Sequence, residues 1–269
     1  MKKITALLMT AVMVTGLFVG CGAKADNAAS TGGKNAGDTF TVGFDAEFPP
    51  YGYMDESGEY VGFDLDLAQA ACDKLGLTLV KQPIAWDSKD MELSSGTIDC
   101  IWNGFTINGR EDEYTWSVPY IDNSQVFVVA STSGIASKAD LAGKNIGVQR
   151  DSSAAAALED EENAEMAASF ATVTQYDDYN TGFMDLESGA IDALAVDIGV
   201  ANYQLESRGD AFVKIDEPLS TEQYGIGFLK GNDALKDQIE AVVLELNADG
   251  TVKSLAEKYG IDPASICLK

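Results

Sequence analysis

Two stretches of this chain begin with the same short sequence motif and end in side chains of opposite charge. Gly96-Thr-Ile-Asp99 and Gly189-Ala-Ile-Asp192 each place an aspartate at the mouth of an apolar strand. A phrase repeated in this way is expected of two lobes of similar build. The first stretch leads to Arg110 and the second to Asp197. A cleft between such lobes would carry a guanidinium on one wall and a carboxylate on the other.

These charges suit the two ends of a zwitterion. The Arg110 guanidinium can hold a carboxylate with two parallel hydrogen bonds, and the Asp197 carboxylate can accept the protons of an ammonium group. A structural interpretation competes for each residue. Arg110 begins a charged run that ends at Glu113 and would be solvated, whereas Asp197 would cap the helix that follows it. The rest of the sequence is needed to choose between the ligand-binding and the structural interpretation of these two residues.

Composition predicts a globular protein without a cofactor. The 269 residues are 46% hydrophobic, which is enough for one large or two modest cores. A formal charge of −25 argues against a nucleic-acid partner. The chain has no His, and the spacing of Cys72, Cys100 and Cys267 matches no metal-site pattern. We therefore predict no metal; whether two of these cysteines pair stays open.

The N-terminus predicts export. Lys2 and Lys3 precede an apolar run, so residues 1–20 have the form of a signal peptide. The run ends in Leu17-Phe-Val-Gly-Cys21, which resembles the lipobox of bacterial lipoproteins, where the cysteine becomes an acylated N-terminus. Residues 21–38 contain no large apolar side chain and predict a flexible tether. The body would be anchored through Cys21 to the outer face of the plasma membrane, or lie in the periplasm of a two-membrane cell.

The remaining chain predicts an α/β fold. Strands and helices alternate from residue 39, and the alternation begins again near residue 141. Asp64 is placed to cap the first helix, and Gly76 to end it. Ser152 and Ser153 stand where a helix of the second half begins, where free amides can bind an anion as well as be capped. A ligand is then expected at the carboxyl ends of the strands.

The order of these motifs resembles the polar amino-acid-binding proteins of ABC importers, the bacterial extracellular solute-binding proteins of family 3. The resemblance covers Thr39 to Tyr259. It rests on Gly43-Phe-Asp-Ala-Glu-Phe-Pro-Pro-Tyr51, Gly62-Phe-Asp-Leu-Asp-Leu-Ala68, Trp86, Gly96-Thr-Ile-Asp99, Thr106 to Arg110, Trp116-Ser-Val-Pro-Tyr120, Leu141-Ala-Gly-Lys-Asn-Ile-Gly-Val-Gln149, Asp192 to Asp197 and Ala248-Asp-Gly250.

The resemblance implies a type II periplasmic-binding-protein-like fold of two lobes that close on a ligand. Lobe 1 would comprise residues 39–130 and 224–269, and lobe 2 residues 131–223. The crossovers would lie near Val129 to Thr132 and Glu222 to Gly227. The implied partners are a free amino acid and the permease subunits of the importer, and the protein is expected to be a monomer.

The resemblance also implies a ligand site. Arg110 would bind the carboxylate, helped by Ser152 and Ser153, and Asp197 would bind the ammonium. The full set of predicted ligand-binding residues is Asp45, Phe48, Trp86, Asn103, Gly104, Thr106, Arg110, Gln149, Ser152, Ser153 and Asp197. Phe48 and Trp86 suit a cleft wall and a core equally.

Two departures from the family pattern affect this site. The stretch from Thr106 to Arg110 is one residue shorter than the usual family spacing, which bears on the reach of the guanidinium. Asp151 replaces a usual glycine beside the anion site, which argues against a further ligand carboxylate at this place.

The sequence leaves the identity of the amino acid open. Asp45, Glu47, Gln149 and Asp151 lie near the predicted side-chain end, where Arg150 is the only cation that the sequence places. A cationic or neutral polar side chain is therefore favoured. Arginine, lysine, histidine, glutamine and cystine all stay open.

An enzyme is the alternative function, because some relatives of this fold are cyclohexadienyl-dehydratase-like enzymes acting on small carboxylic acids. Arg110 would then anchor the substrate, and Asp197 or Asp45 would act as the acid. The sequence offers no His and no paired Glu with an evident proton role. It therefore favours a binding protein over an enzyme.

Overall fold

The chain folds into two α/β lobes, each built on its own β-sheet. The computed structural model describes residues 32–269, so the predicted signal peptide and Cys21 lie outside the described residues. None of the helices within residues 32–269 is long and apolar enough to span a membrane.

The strands are β1 (Thr39–Phe44), β2 (Glu47–Phe48), β3 (Gly52–Met54), β4 (Tyr60–Val61), β5 (Thr78–Pro83), β6 (Cys100–Ile101), β7 (Thr115–Trp116), β8 (Ile121–Ala130), β9 (Asn145–Gln149), β10 (Thr172–Tyr176), β11 (Ala193–Asp197), β12 (Phe212–Lys214), β13 (Ser220–Tyr224) and β14 (Gly227–Phe228). The α-helices are α1 (Phe63–Leu75), α2 (Lys89–Ser94), α3 (Ser153–Glu159), α4 (Ala164–Ala168), α5 (Tyr179–Ser188), α6 (Ile198–Arg208), α7 (Asp233–Ala248) and α8 (Thr251–Lys258). Short 3-10 helices cover Trp86–Ser88, Lys138–Leu141, Gly209–Ala211 and Pro263–Ser265.

The first lobe holds a sheet of order β5-β1-β6-β14-β7. Its central strand β1 pairs in parallel with β5 and β6, and Phe40, Val42 and Phe44 of β1 are fully buried. Helices α1, α7 and α8 contact one another and cover this sheet with their apolar faces. Parallel strands end at the same edge, so the segments after β1 and β6 both open toward the second lobe.

The second lobe holds a sheet of order β10-β9-β11-β8-β12, and β13 also pairs with β8. Strand β11 is buried along its whole length and pairs in parallel with β9. It pairs antiparallel with β8, where Ala193 opposes Val129. Burial on both faces explains why β11 consists of apolar residues until it ends in Asp197.

The predicted division of the chain into two lobes is wrong at strand β8. Residues up to 130 were expected in lobe 1, with a crossover near Val129 to Thr132. The hydrogen bonds of β8 instead lie in the second sheet, because Val126 to Val129 pack between β11 and β12. The chain therefore changes sheets ahead of Ile121. It returns between Tyr224 and Gly227, inside the range expected for the second crossover.

Two further expectations near the first lobe are wrong. Residues 34–38 were predicted to be tether, but Lys34 Nζ lies 2.8 Å from Asp99 Oδ1 and the Lys34 amide donates to Gln238 at 2.8 Å, so this segment lies on the lobe. Asp64 does not cap α1, whose N-cap is Gly62. The Asp64 carboxylate is fully buried and accepts the Gly104 amide at 2.6 Å, because the loop after β6 needs an acceptor there.

Candidate ligand-binding site

A small cavity lies between the two lobes. Its lining consists of Phe48, Trp86, Asn103, Gly104, Thr106, Arg110, Gln149, Ser152, Ser153 and Asp197. These are ten of the eleven residues that the sequence assigned to the site. The remaining one, Asp45, lies behind Gln149. Phe48 and Trp86 are therefore parts of the cavity wall.

Arg110 enters the cavity from the loop between β6 and β7. Its side chain is half-buried, and its guanidinium carbon lies 5.5 Å from the centre of the Phe105 ring. Nη1 and Nη2 each donate at 3.4 Å to a backbone carbonyl, of Thr106 and of Asp151 respectively. Within residues 32–269 no carboxylate forms an ion pair with this guanidinium. These weak contacts leave a fork of donors free for an anion, and the solvated interpretation does not hold.

Asp197 ends β11 at the opposite wall. It occupies the N-cap position of α6, yet its side chain makes no capping hydrogen bond. Oδ1 instead accepts from Asn123 Nδ2 at 2.9 Å, from Gln125 Nε2 at 2.7 Å and from the Tyr224 hydroxyl. Burial, followed by the nearby charge of Glu222, raises the pKa of Asp197 to about 7.

Glu222 of β13 is a second buried carboxylate that the sequence analysis missed. Its Oε1 accepts from Thr106 Oγ1 at 2.9 Å, from Asn123 Nδ2 at 2.7 Å and from Gln125 Nε2 at 2.7 Å. The same two amide groups thus contact both Glu222 and Asp197. Two carboxylates held this closely in a buried place repel each other unless a proton or a cation lies beside them. We call these two residues the acid pair.

Ser152 and Ser153 lie at the start of α3. Ser152 Oγ caps the helix by accepting from the Ala155 amide at 3.1 Å, as its hydroxyl and position predicted. The Ser153 hydroxyl faces the acid pair, because Gln125 Nε2 lies at 2.9 Å and Thr106 Oγ1 at 3.1 Å. Both serines line the cavity.

A third group of polar side chains consists of Asn103, Gln149 and Asp45. Gln149 Nε2 donates to Asp45 Oδ2 at 2.7 Å across the cleft, and the Glu47 amide donates to Asp45 Oδ1 at 2.8 Å. The Asp45 amide in turn donates to Asn103 Oδ1 at 2.9 Å. Burial raises the pKa of Asp45 to about 6.

Lys89 is a cation at the site that the sequence analysis did not predict. The sequence placed Arg150 as the only cation near the side-chain end. Arg150 is exposed and lies between Asp87 and Asp177. Lys89 is only 2% exposed, and its ammonium forms an ion pair with Asp151 across the cleft. The pair lies against Trp86, whose Nε1 donates to the Asp151 carbonyl at 3.2 Å.

Gly104 lies on the loop after β6, where its backbone lines the cavity. Its positive φ of 55° and the close approach of Phe48 and Tyr224 explain why only glycine fits this loop. The Gly104 amide donates to the Asp64 carboxylate. Only the Gly104 carbonyl is left to face the cavity.

The fold and this arrangement of lobes agree with the comparisons to known proteins. The chain belongs to the bacterial extracellular solute-binding proteins, family 3, whose family model matches residues 40–262. This confirms the resemblance and the type II periplasmic-binding-protein fold.

Several relatives of known description are similar over most of their length. The L-cystine-binding protein TcyJ of Escherichia coli is 31% identical over 253 residues, which cover 92% of each chain. ABC transporter arginine-binding protein 1 of the same organism is 27% identical over 237 residues, covering 86% of this chain and 95% of that protein. The structure of an ABC uptake transporter substrate binding protein from Streptococcus pneumoniae with bound histidine is 36% identical, with a TM-score of 0.80, and covers 85% of this chain and 94% of that one.

Proposed function

We propose that the chain is the extracytoplasmic substrate-binding component of an ABC importer and that it binds a free polar α-amino acid between its lobes. The observation that carries this proposal is the pairing of charges in one cavity: the unpaired Arg110 guanidinium lies on one lobe and Asp197 on the other. Relatives described as binding cystine, arginine and histidine support the ligand class.

The ligand carboxylate would bind Arg110. The planar guanidinium offers two parallel donors, and the Phe105 ring beneath it keeps its plane in place. Ser152 and Ser153 complete this end from the second lobe. The carboxylate would therefore contact both lobes at once.

The ligand ammonium would bind the acid pair. The hydrogen bonds that Glu222 accepts within residues 32–269 all end on Oε1, so Oε2 is available for a further donor. An ammonium group between Asp197 and Glu222 would also relieve their repulsion. A ligand without an ammonium group cannot make this contact.

A ligand that contacts both lobes stabilises the closed form of the protein. A ligand shifts an equilibrium between open and closed forms only through contacts that differ between them. The permease subunits would then recognise the closed shape and accept the amino acid. Cys21 would keep the protein on the membrane beside its transporter.

A thermal-shift screen of the twenty amino acids and cystine, followed by calorimetric titration of the best ligand, tests the function. Arg110→Ala should weaken binding by roughly two to three decades, because it leaves the ligand carboxylate unpaired. Lys253→Ala removes a positive charge from the exposed surface of α8, where Lys253 pairs with Glu257 of the same helix, and should bind as the wild type does. An absence of any amino-acid ligand would contradict the proposal.

The enzyme alternative is tested with the same samples. A binding protein returns its ligand unchanged, whereas a dehydratase would convert a small carboxylic acid at a rate that depends on the residue acting as its general acid. Turnover that is lost in Asp197→Asn would favour the enzyme.

The anchor has its own test, because it depends on residues outside the described part of the chain. Cys21→Ala should give a folded, ligand-binding protein without a lipid. Cleavage at residue 21 and acylation of this variant would contradict the assignment.

A further inference from the structure

Two buried amide side chains connect the acid pair to the rest of the site. Asn123 and Gln125 are two residues apart on β8, so their side chains lie on the same face of this strand. Asn123 is 7% exposed and Gln125 is fully buried. The sequence analysis assigned neither of them to the site. We call these two residues the amide pair.

Each nitrogen of the amide pair contacts both carboxylates. Asn123 Nδ2 donates to Asp197 Oδ1 at 2.9 Å and to Glu222 Oε1 at 2.7 Å. Gln125 Nε2 lies 2.7 Å from each of the same two oxygens, and 2.9 Å from Ser153 Oγ. The amide pair therefore fixes the two acids side by side and links them to the start of α3, where the ligand carboxylate is expected to bind.

The amide oxygens indicate that these donors serve ionised carboxylates. An ionised carboxylate only accepts hydrogen bonds, so the amide nitrogens have to face the acid pair. In this orientation Asn123 Oδ1 and Gln125 Oε1 are buried without a hydrogen-bond partner in the part of the chain that the structure describes. A buried acceptor without a donor lowers stability, and only the contacts to the acids offset this loss.

Neutral donors favour a charge on the acid pair in a place where burial opposes it. Burial, followed by the charge of Glu222, raises the pKa of Asp197, whereas hydrogen bonds from Tyr224, Gln125 and Asn123 lower it. An amide suits this task because it does not titrate near neutral pH. Its donor is therefore present whatever the charge of the acids.

The other titratable groups that face the acid pair are tyrosines. Tyr224 of β13 donates to Asp197 Oδ1, and the Tyr179 hydroxyl of α5 lies 3.5 Å from Asp197 Oδ2. Tyr51, on the loop between β2 and β3, packs against Tyr224. Burial raises the pKa of all three above the ordinary tyrosine value, so they stay protonated near neutral pH. The charge that the amide pair can change is that of the two carboxylates.

We propose that Asn123 and Gln125 are positioning residues of the ammonium site, whose donors keep the two carboxylates of the acid pair ionised and side by side so that an ammonium group can bind between them. This inference rests on the proposed function, because the ammonium is that of the amino-acid ligand. It assigns an effect on affinity to two residues that are not among those lining the cavity within residues 32–269.

Gln125→Met tests the role through the pH dependence of affinity. The variant keeps the length of the side chain but removes the donor together with the unpartnered oxygen. By calorimetric titration the affinity for the best amino acid should fall roughly tenfold near neutral pH. This loss should narrow as the pH is raised from about 6 to about 8, because a higher pH restores the charge that the missing donor no longer favours. A loss by the same factor at every pH would indicate a structural role alone and overturn the proposal.

Gln69→Met is the matched control. Gln69 Nε2 also donates to a carboxylate, that of Asp73 at 2.8 Å, but on the exposed face of α1. The control should keep the wild-type affinity at every pH. Burial raises the pKa of Asp45 to about 6, so this residue also titrates in the tested range, but it is present in all three proteins and cancels in the ratio of their affinities.

Thermal unfolding of the unliganded protein tests the contacts without a ligand. Loss of the donor raises the pKa of Asp197 further in the folded state, so the destabilisation should develop as the pH rises. The Tm of Gln125→Met should therefore fall less below that of the wild type at about pH 5 than at about pH 8. An equal loss at both pH values would overturn the proposal.

Asn123→Leu carries the same expectations at the other amide. Failure of both variants to fold at either pH would overturn the proposal, because the fold itself would then need the two amides. If no α-amino acid binds to the wild-type protein, the proposed function fails. The unfolding data then still decide whether the amide pair keeps the two acids ionised.

Discussion

Lys89 of the first lobe and Asp151 of the second form an ion pair directly across the mouth of the cleft. Lys89 is buried and Asp151 is about half-exposed, so the pair closes the cavity at the side where Arg110 reaches in. Asp151 adopts a positive φ of 55°, which brings its carbonyl toward Trp86 and Arg110. The contact joins the lobes without using the ligand.

Removing this contact should favour the open form. Lys89→Met keeps most of the side-chain volume but removes the charge. Because Asp151 is screened by water, we expect a loss of about 1 kcal/mol, which is roughly a fivefold rise in the Kd of the best amino acid. Calorimetric titration measures this loss, and small-angle scattering should show a less compact unliganded protein.

Lys74→Met is the matched control, because Lys74 pairs with Glu245 and Asp249 inside the first lobe. It should leave affinity and compactness unchanged. Equal affinities of the two variants would show that the Lys89–Asp151 pair does not hold the lobes together.

Affinity should depend on pH through the acid pair. Burial and the charge of Glu222 raise the pKa of Asp197 to about 7, and the ligand ammonium needs the ionised carboxylate. Below pH 7 a proton therefore competes with the ligand, so affinity should fall as the pH is lowered, by up to about tenfold per pH unit. Calorimetric titrations between about pH 5 and pH 8 measure the profile.

The Glu222→Gln variant tests whether the acid pair, and no other titrating group, causes the pH dependence of affinity. Without the neighbouring charge the pKa of Asp197 should fall, so the decline in affinity should move to lower pH, while the affinity at high pH drops because one charged acceptor is lost. Glu217→Gln, an exposed change on the loop before β13, should keep the wild-type profile. A profile of Glu222→Gln that equals the control would contradict the shared role of the two carboxylates.

Gly199 at the start of α6 lets the two lobes approach. A β-carbon there would stand 2.8 Å from Tyr51 Cε2, and the buried Tyr51 ring packs 5.3 Å from that of Tyr224, so it has little room to move. Gly199→Ala should push α6 and Asp197 away from the first lobe. We expect affinity to fall roughly tenfold or more, with the lobes still folded.

Titration together with thermal unfolding of the unliganded protein checks this expectation. Gly32→Ala adds a methyl group where nothing lies within 4 Å and serves as the control. A Gly199→Ala protein that binds as tightly as this control would show that the closed form tolerates the extra carbon at Gly199.

Local patterns were enough to predict much of the site. Asp197 ends the apolar strand β11, and Arg110 lies on the loop that follows β6, so each belongs to a segment at the carboxyl end of a strand, where a ligand is expected. The break between α7 and α8 was likewise predictable, because Gly250 adopts a positive φ of 87° that ends one helix before the next begins. Such features depend on residues close together in the chain.

Glu222 and Lys89 were missed because their partners are distant in sequence. Glu222 meets Asn123, which is 99 residues away, only after β13 pairs with β8. The sequence Ser220-Thr-Glu-Gln-Tyr224 has no alternation of apolar and polar residues that would have indicated the burial of Glu222. Lys89 begins the short helix α2, and its partner Asp151 lies 62 residues later in the chain.

The position of β8 was missed for a different reason. A continuous apolar run such as Val126 to Val129 predicts a buried strand but carries no information about which sheet it joins. The pairing with β11 and β12, which come later in the chain, decides that it belongs to the second lobe.

The zwitterion clamp formed by Arg110 and the acid pair is tested most directly by titrating the wild-type protein with one amino acid in three chemical forms. The free amino acid should bind. Its N-acetyl derivative lacks the ammonium and leaves the buried acid pair without a cation, whereas its α-carboxamide lacks the carboxylate and leaves the half-buried Arg110 guanidinium without an anion. Each should therefore bind roughly a hundredfold more weakly or not at all. Binding of the N-acetyl derivative as tight as that of the free amino acid would contradict the role assigned to Asp197 and Glu222.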